Sequence, residues 1–234
     1  MRVDNPAGRL DRFWGRVDRN HNELIGAWVR GPRVLDLGCG YGSFTGYAND
    51  NLEVDCVGVD LSEDDLAIAR RRYAGSEFVR ANAERLPLDA GSCDTVVLRD
   101  ALHHLVNEAD WHKVAAEIRR VSTPNARIVF FDPNVQPLLR LARRVSRHED
   151  EETTFEQATT IMDQLGYRRM HVAFDTLFSL PLSGGYVGVE LVPDWPRLHC
   201  FLLAAEEKAE SLVNRLGLGR QLAWRYLIAG ERTS

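Results

Sequence analysis

Apolar residues follow two rhythms along this chain. Short continuous runs alternate with longer stretches in which apolar residues recur at about every third or fourth position. The short runs predict buried strands at Arg33–Leu37, Val54–Val59, Glu77–Arg80, Thr95–Arg99, Arg127–Phe131, Met170–Phe174 and Ala223–Ala229. The helical rhythm predicts a first helix over Phe13–Arg30, with Phe13, Val17, Leu24, Ile25 and Trp28 as its apolar positions. It predicts further helices opening at Ser43 and spanning Ser62–Tyr73, Trp111–Val121, Phe155–Leu165 and Arg197–Leu216. Ser62 and Asp65 have capping-box spacing. Gly31-Pro32, Thr123-Pro124-Asn125 and Gly166 read as stops. Strands alternating with helices imply an α/β fold with a parallel sheet covered on both faces. Ligands in such sheets bind beyond the carboxyl ends of the strands.

The first strand ends in VLDLGCGYGS, where Asp36 precedes glycines at 38, 40 and 42. Glycine loses the most backbone freedom on folding, so a cluster after a strand marks a tight turn or a close approach. A dinucleotide fingerprint, GxGxxG, needs a third glycine where this chain has Ser43. The pattern here is DxGxGxG. Asp60 ends the second strand roughly 20 residues on, where an acid can hold ribose hydroxyls; the competing role is a helix cap, which Ser62 fills better. Asn82, after the third strand, offers both a donor and an acceptor for an adenine edge, or forms a simple turn.

The composition suits one domain with a sizeable core: 234 residues, 44% hydrophobic and 27% charged. A net charge of -5 argues against a nucleic-acid partner. Cys39, Cys56, Cys93 and Cys200 are scattered and give no metal spacing. Free thiols, a charged N-terminus and the lack of a long uncharged apolar run imply a cytoplasmic protein without a membrane helix.

In order and spacing, VLDLGCGYGS, VGVDLS, ANAERLPLDAGSCDTVVLRDALHHL and RIVFFDPN resemble the class I S-adenosylmethionine-dependent methyltransferases, in particular the branch acting on quinones and natural products. The resemblance covers Val34 to Asn134, and WRYLIAGER resembles the family's closing strand. It implies a doubly wound, Rossmann-like sheet of seven strands, mostly parallel with an antiparallel last strand, and a helical insertion before that strand. It implies S-adenosylmethionine as cofactor and S-adenosylhomocysteine as product. Asp36, Gly38 and Gly40 then line the methionine and ribose part, Asp60 holds the ribose, Leu61 packs on the adenine, and Asn82 and Ala83 meet its edge. Many relatives have aspartate at the position of Asn82. Arg99 lies by the sulfonium and contributes its backbone carbonyl. Methyl transfer needs alignment, and a base only where the acceptor must lose a proton. His103, His104 and Asp132 are the candidates for catalysis. The resemblance favours an architectural role for the histidines, with His103 the first choice for catalysis, and Asp132 can equally cap a turn. His199 reads as a surface or core-edge residue of its helix.

One domain is expected: a helical cap (1–32), a cofactor core (33–176), a substrate-side insertion (177–219) and a final strand with its tail (220–234). The insertion begins with LFSLPLSGGYVGVELVPDW, apolar and glycine-punctuated, with Tyr186 and Trp195 as candidate acceptor contacts. It reads as a lid or pocket wall, a dimer or membrane-touching surface, or ordinary core. Arg140, Arg143, Arg144 and Arg147 share a helical face, read as solvated or as an attraction for phosphate or an anionic membrane. The expected acceptor is small and partly apolar, with no nucleic acid, peripheral membrane contact as an option, and a monomer or homodimer. An idle cofactor-binding subunit, a nicotinamide oxidoreductase and a protein methyltransferase are the alternatives.

Overall fold

The computed structural model describes residues 13–134, 153–183 and 191–233. Tyr186 and the arginines at 140, 143, 144 and 147 lie outside them. In chain order the elements are α1 (Phe13–Gly26), β1 (Arg33–Leu37), α2 (Ser43–Asn51), β2 (Asp55–Asp60), α3 (Glu63–Arg72), β3 (Glu77–Arg80), β4 (Cys93–Arg99), α4 (Leu102–Glu108), α5 (Trp111–Val121) and β5 (Ser122–Pro133). They continue with α6 (Phe155–Gln164), β6 (Tyr167–Asp175), α7 (Ser179–Leu182), α8 (Pro196–Arg215), α9 (Gly219–Leu222) and β7 (Arg225–Arg232).

The seven strands form one sheet in the order β3-β2-β1-β4-β5-β7-β6. The first five are parallel to their neighbours, and β7 runs antiparallel to β5 and β6. The order reverses between β1 and β4, so the ends of β1, β2 and β4 converge at the switch point. Burial on both faces explains the continuous apolar runs: Leu35, Leu37, Val96, Val97, Leu98, Ile128, Val129, Phe130 and Phe131 are all almost fully buried. Each such side chain contributes about 1.5–3 kcal/mol on leaving water.

By internal contacts the chain divides into two compact units. The sheet unit holds described residues 22–132, 153–172 and 227–233. Its α3 shows local sequence logic clearly. The Ser62 side chain accepts the Asp65 N–H, three acids fill the first turn and three arginines the last, so both ends complement the helix dipole. The helical unit holds described residues 13–21, 133–134, 173–183 and 191–226. Phe13, Val17 and Val192 form its core with Leu182, Leu198, Leu202 and Leu203. Trp224 packs with Leu180 and Trp14 and donates its indole N–H to the Leu177 carbonyl at 2.7 Å.

The structure revises several expected boundaries. Helix α1 ends at Gly26, and the residues up to Val29 continue in tight turns. Strand β5 begins at Ser122, ahead of the expected stop at Thr123-Pro124-Asn125. The register jumps from Cys93↔Ser122 to Thr95↔Arg127, so the proline sits in an irregularity where no ladder donor is required. Strand β6 is longer than expected at both ends, and β7 starts and ends later. Helix α4 was not anticipated; its N-cap is Ala101, without a capping side chain. His199 is not at a surface: it is fully buried, lies 5.2 Å from the Phe13 ring, and its Nε2 meets the Pro193 carbonyl at 3.0 Å.

The helical unit also contains an acidic cluster invisible to pattern reading. One oxygen of Glu206 accepts the backbone N–H groups of Leu177, Phe178 and Ser179 at 2.8–2.9 Å. Glu210 accepts the Thr176 N–H at 2.6 Å. Asp175 takes the Thr176 hydroxyl at 2.7 Å, and His21 Nε2 meets that hydroxyl at 2.9 Å. Burial and the neighbouring carboxylates Asp175 and Glu206 push Glu210 up to about 9; burial pushes Asp175 up to about 6.

Candidate active site

The glycine loop is built between the ends of β1 and β2. Gly38 N–H and Cys39 N–H both donate to the Val59 carbonyl, at 2.8 and 3.1 Å, which folds the loop across β2. Gly38 has φ +78°, and a Cβ there would lie 2.5 Å from the Ala101 Cβ. Only glycine fits that crossing. Gly40 has φ +50° but no atom within 4 Å of an added Cβ, so this part of the loop faces open space.

Two carboxylates flank the loop. Asp60 accepts Gly40 N–H on Oδ2 and Ser62 N–H on Oδ1, both at 2.8 Å. It therefore ties the loop to the start of α3, a structural duty beyond the ribose role expected of it. Each carboxylate oxygen has a second lone pair, so Asp60 can still accept hydroxyl donors. Asp36, 1% exposed, takes the Thr45 N–H at 3.1 Å and the Thr45 hydroxyl at 2.7 Å on Oδ2. It thereby holds the first turn of α2, whose N-cap Gly42 has no side chain to do so. Burial pushes its carboxyl up to about 6, against the Thr45 hydrogen bonds and the charge of Arg99. Asp36 Oδ1 is buried with no hydrogen-bond partner among the described residues. A buried acceptor in that state favours a cationic or donor group brought by a ligand.

Leu61 stands beside Asp60 and is 64% exposed, an apolar surface at the mouth of the loop. Asn82 is exposed and its Oδ1 accepts the Glu84 N–H at 2.9 Å. The side chain thus makes the turn, and its amide NH2 is the group left to face a ligand. Ala83 is buried next to it.

Arg99 ends β4 and brings its side chain, not merely its carbonyl, into a polar network. Its guanidinium donates to Asn22 Oδ1 and, at 3.4 Å, to Ser43 Oγ. Asn22 Nδ2 in turn donates to Ser43 Oγ at 3.1 Å and to the Ser43 carbonyl at 3.3 Å. Asn22 and Ser43 were missed in the sequence. Arg99 and Asn22 are 77 positions apart, and no local motif links them.

His103 and Asp132 form a dyad. Asp132 Oδ2 receives both the His103 N–H at 3.1 Å and His103 Nδ1 at 2.9 Å. A carboxylate only accepts, so the facing Nδ1 carries the proton and the basic lone pair lies on Nε2. Asp132 is 0% exposed, and its Oδ2 is engaged by His103. His104 is exposed and pairs with Glu108 at 2.7 Å, its ring centroid 4.2 Å from that of His103. Trp195, in the helical unit, is 65% exposed. Among the described residues no group of His, Cys, Asp or Glu forms a metal-binding cluster.

Comparison with known proteins agrees with this geometry. Residues 35–130 match the family model of the methyltransferase domain. The chain is 38% identical over 101 residues to a malonyl-[acyl-carrier protein] O-methyltransferase of Marinomonas sp. (strain MWYL1), covering 42% of this chain and 36% of that protein. It is 38% identical over 114 residues to a demethylmenaquinone methyltransferase of Clavibacter sepedonicus, covering 47% and 44%. The chain thus spans less than half the length of these relatives. In fold it is similar to a geranyl diphosphate C-methyltransferase from Streptomyces coelicolor A3(2), crystallised with Mg2+, geranyl diphosphate and S-adenosyl-L-homocysteine: TM-score 0.68, 18% identity, 99% of this chain and 87% of that one. The glycine loop and its two acids lie in the segment, residues 35–130, that matches the methyltransferase-domain family model, and the fold around it is similar to that of solved S-adenosylmethionine-dependent methyltransferases.

Proposed function

We propose that this chain transfers a methyl group from S-adenosylmethionine to a small, partly apolar acceptor. The observation that carries this reading is the pair of acids flanking the glycine loop. Asp60 fixes Gly40 and keeps lone pairs for ribose hydroxyls, while buried Asp36 Oδ1 awaits a donor. Asp36 then meets the cationic methionine end, Leu61 packs on the adenine, and Asn82 and Ala83 meet its edge. The Asn82 side chain offers its NH2 there, because its oxygen is used in the turn. When bound, S-adenosylmethionine supplies a methyl group already activated by its sulfonium. The chain's task is alignment.

Arg99 is assigned a positioning role. It neutralises part of the Asp36 charge and locks Asn22 and Ser43 beside the loop. His103, oriented by Asp132, takes a proton at Nε2 from an acceptor hydroxyl where one must be lost. Trp195, 65% exposed, is assigned as an acceptor contact. A relative named for demethylmenaquinone, and the geranyl diphosphate enzyme of similar fold, support an acceptor with an apolar body. Four free cysteines fit a cytoplasmic location.

The test is a transfer assay with methyl-labelled S-adenosylmethionine and a panel of quinols, phenols, prenyl diphosphates and fatty acyl compounds. Label in one of these apolar products, lost in His103→Ala, is the expected result. Label only in added protein, or none with the cofactor bound, contradicts the proposal.

A further inference from the structure

The helical unit carries a surface feature that the methyl-transfer reading does not use. Helix α8 has 20 residues and so runs about 30 Å. Arg197, Phe201, Ala204, Lys208, Leu212 and Arg215 recur along it at spacings of three and four, which puts them in one row. All six are exposed, Phe201 at 67% and Leu212 at 57%. The row contains every cation of the helix and no acid. Of its three glutamates, Glu206 is buried on the amides of residues 177–179, Glu210 holds the Thr176 N–H, and Glu207 lies about a quarter-turn aside. The apolar surface continues beyond both helix ends, in Trp195 at 65% and Leu216 at 62% exposure.

We infer that α8 lies in the plane of an anionic membrane surface and docks the protein there. Three features select this occupant. The row places Phe201 and Leu212 among three cations, so one exposed face offers apolar side chains to bury and long cationic side chains whose heads reach acidic headgroups. Its positive charge is a local reversal on a chain of net charge -5 and is complementary to acidic lipid headgroups. A second copy of the helix laid against it sets cations against cations, which opposes a dimer through this face. None of the protein's described helices is long and apolar enough to cross a membrane, so the contact is peripheral. The inference stands on the surface alone. Only its consequence, delivery of a membrane-dissolved acceptor, rests on the proposed methyl transfer.

The experiment is co-sedimentation of the full chain with vesicles of phosphatidylglycerol in phosphatidylcholine, and with phosphatidylcholine alone. The wild type should pellet with the anionic vesicles, and much less at high salt. Replacing Arg197, Lys208 and Arg215 together by Gln should weaken binding by about 100-fold. The pair Phe201→Ser and Leu212→Ser should weaken it as well. S-adenosylmethionine affinity, measured in the same preparations, should not change, which separates this result from a failed cofactor reading. Equal sedimentation of all variants overturns the inference. So does a soluble dimer that the Phe201→Ser, Leu212→Ser pair dissociates, with no vesicle binding.

Discussion

Asp132 holds His103 by two hydrogen bonds to a single carboxylate oxygen, one from the ring and one from the backbone. The strand end of β5 thereby sets both the position of α4 and the tautomer of its histidine. Asp132→Asn keeps the shape but removes the charge that fixes the ring. It should leave cofactor affinity unchanged and lower methyl transfer by about 100-fold. Asp132→Ala also leaves the buried His103 N–H without its acceptor. It should cost about 1–3 kcal/mol in urea denaturation.

The glycine loop separates packing from binding. In Gly38→Ala the new methyl meets Ala101 at 2.5 Å on a backbone with φ +78°, so the fold itself should lose several kcal/mol, by about the sum of strain and overpacking. Gly40→Ala faces open space. It should cost only about 1–2 kcal/mol for its left-handed backbone yet weaken cofactor binding strongly, because its methyl enters the cradle. Denaturation and calorimetry on both variants should separate the two effects. Equal losses of stability contradict this account of the loop.

Asp60→Ala removes the tie between Gly40 and Ser62 together with the proposed ribose acceptor. Cofactor affinity should fall by about 10- to 100-fold in calorimetry. Unchanged affinity contradicts the ribose assignment.

Glu210 gives a pH signature in the helical unit. Its carboxyl titrates near 4.5 when exposed and is pushed up to about 9 in the fold, chiefly by burial and then by Asp175 and Glu206. The folded state therefore binds the proton more tightly than the unfolded chain. That stabilisation is complete below pH 4.5 and is lost progressively as pH rises toward about 9. Glu210→Gln keeps an oxygen for the Thr176 N–H without the charge. It should raise stability at neutral pH by about 1–3 kcal/mol and flatten the stability-versus-pH curve across this window. A variant less stable than wild type at neutral pH contradicts the assignment.

Much of the sheet unit was legible in the sequence because its signals are local. Parallel strands buried on both faces leave continuous apolar runs, and Gly38, Gly40 and Asp60 lie within one βαβ unit. What stayed hidden depends on distant partners. Asn22 looks like any polar helix residue until Arg99 and Ser43 reach it. Nothing in the sequence sets Glu206 and Glu210 apart from Glu207, yet they accept the amides of residues 176–179, and Glu206 is buried. The turn role of Asn82 is local in origin, since its oxygen reaches only two residues ahead, but sequence alone does not choose between that bond and a ligand. Pro124 misled in the opposite sense. A breaker in a helix-to-strand junction is harmless where the ladder slips its register.

The most direct test of the central claim is titration calorimetry of the purified chain with S-adenosylmethionine, S-adenosylhomocysteine and NADH. The account predicts micromolar binding of both adenosyl ligands and none of NADH. Binding of NADH without either adenosyl ligand would contradict it.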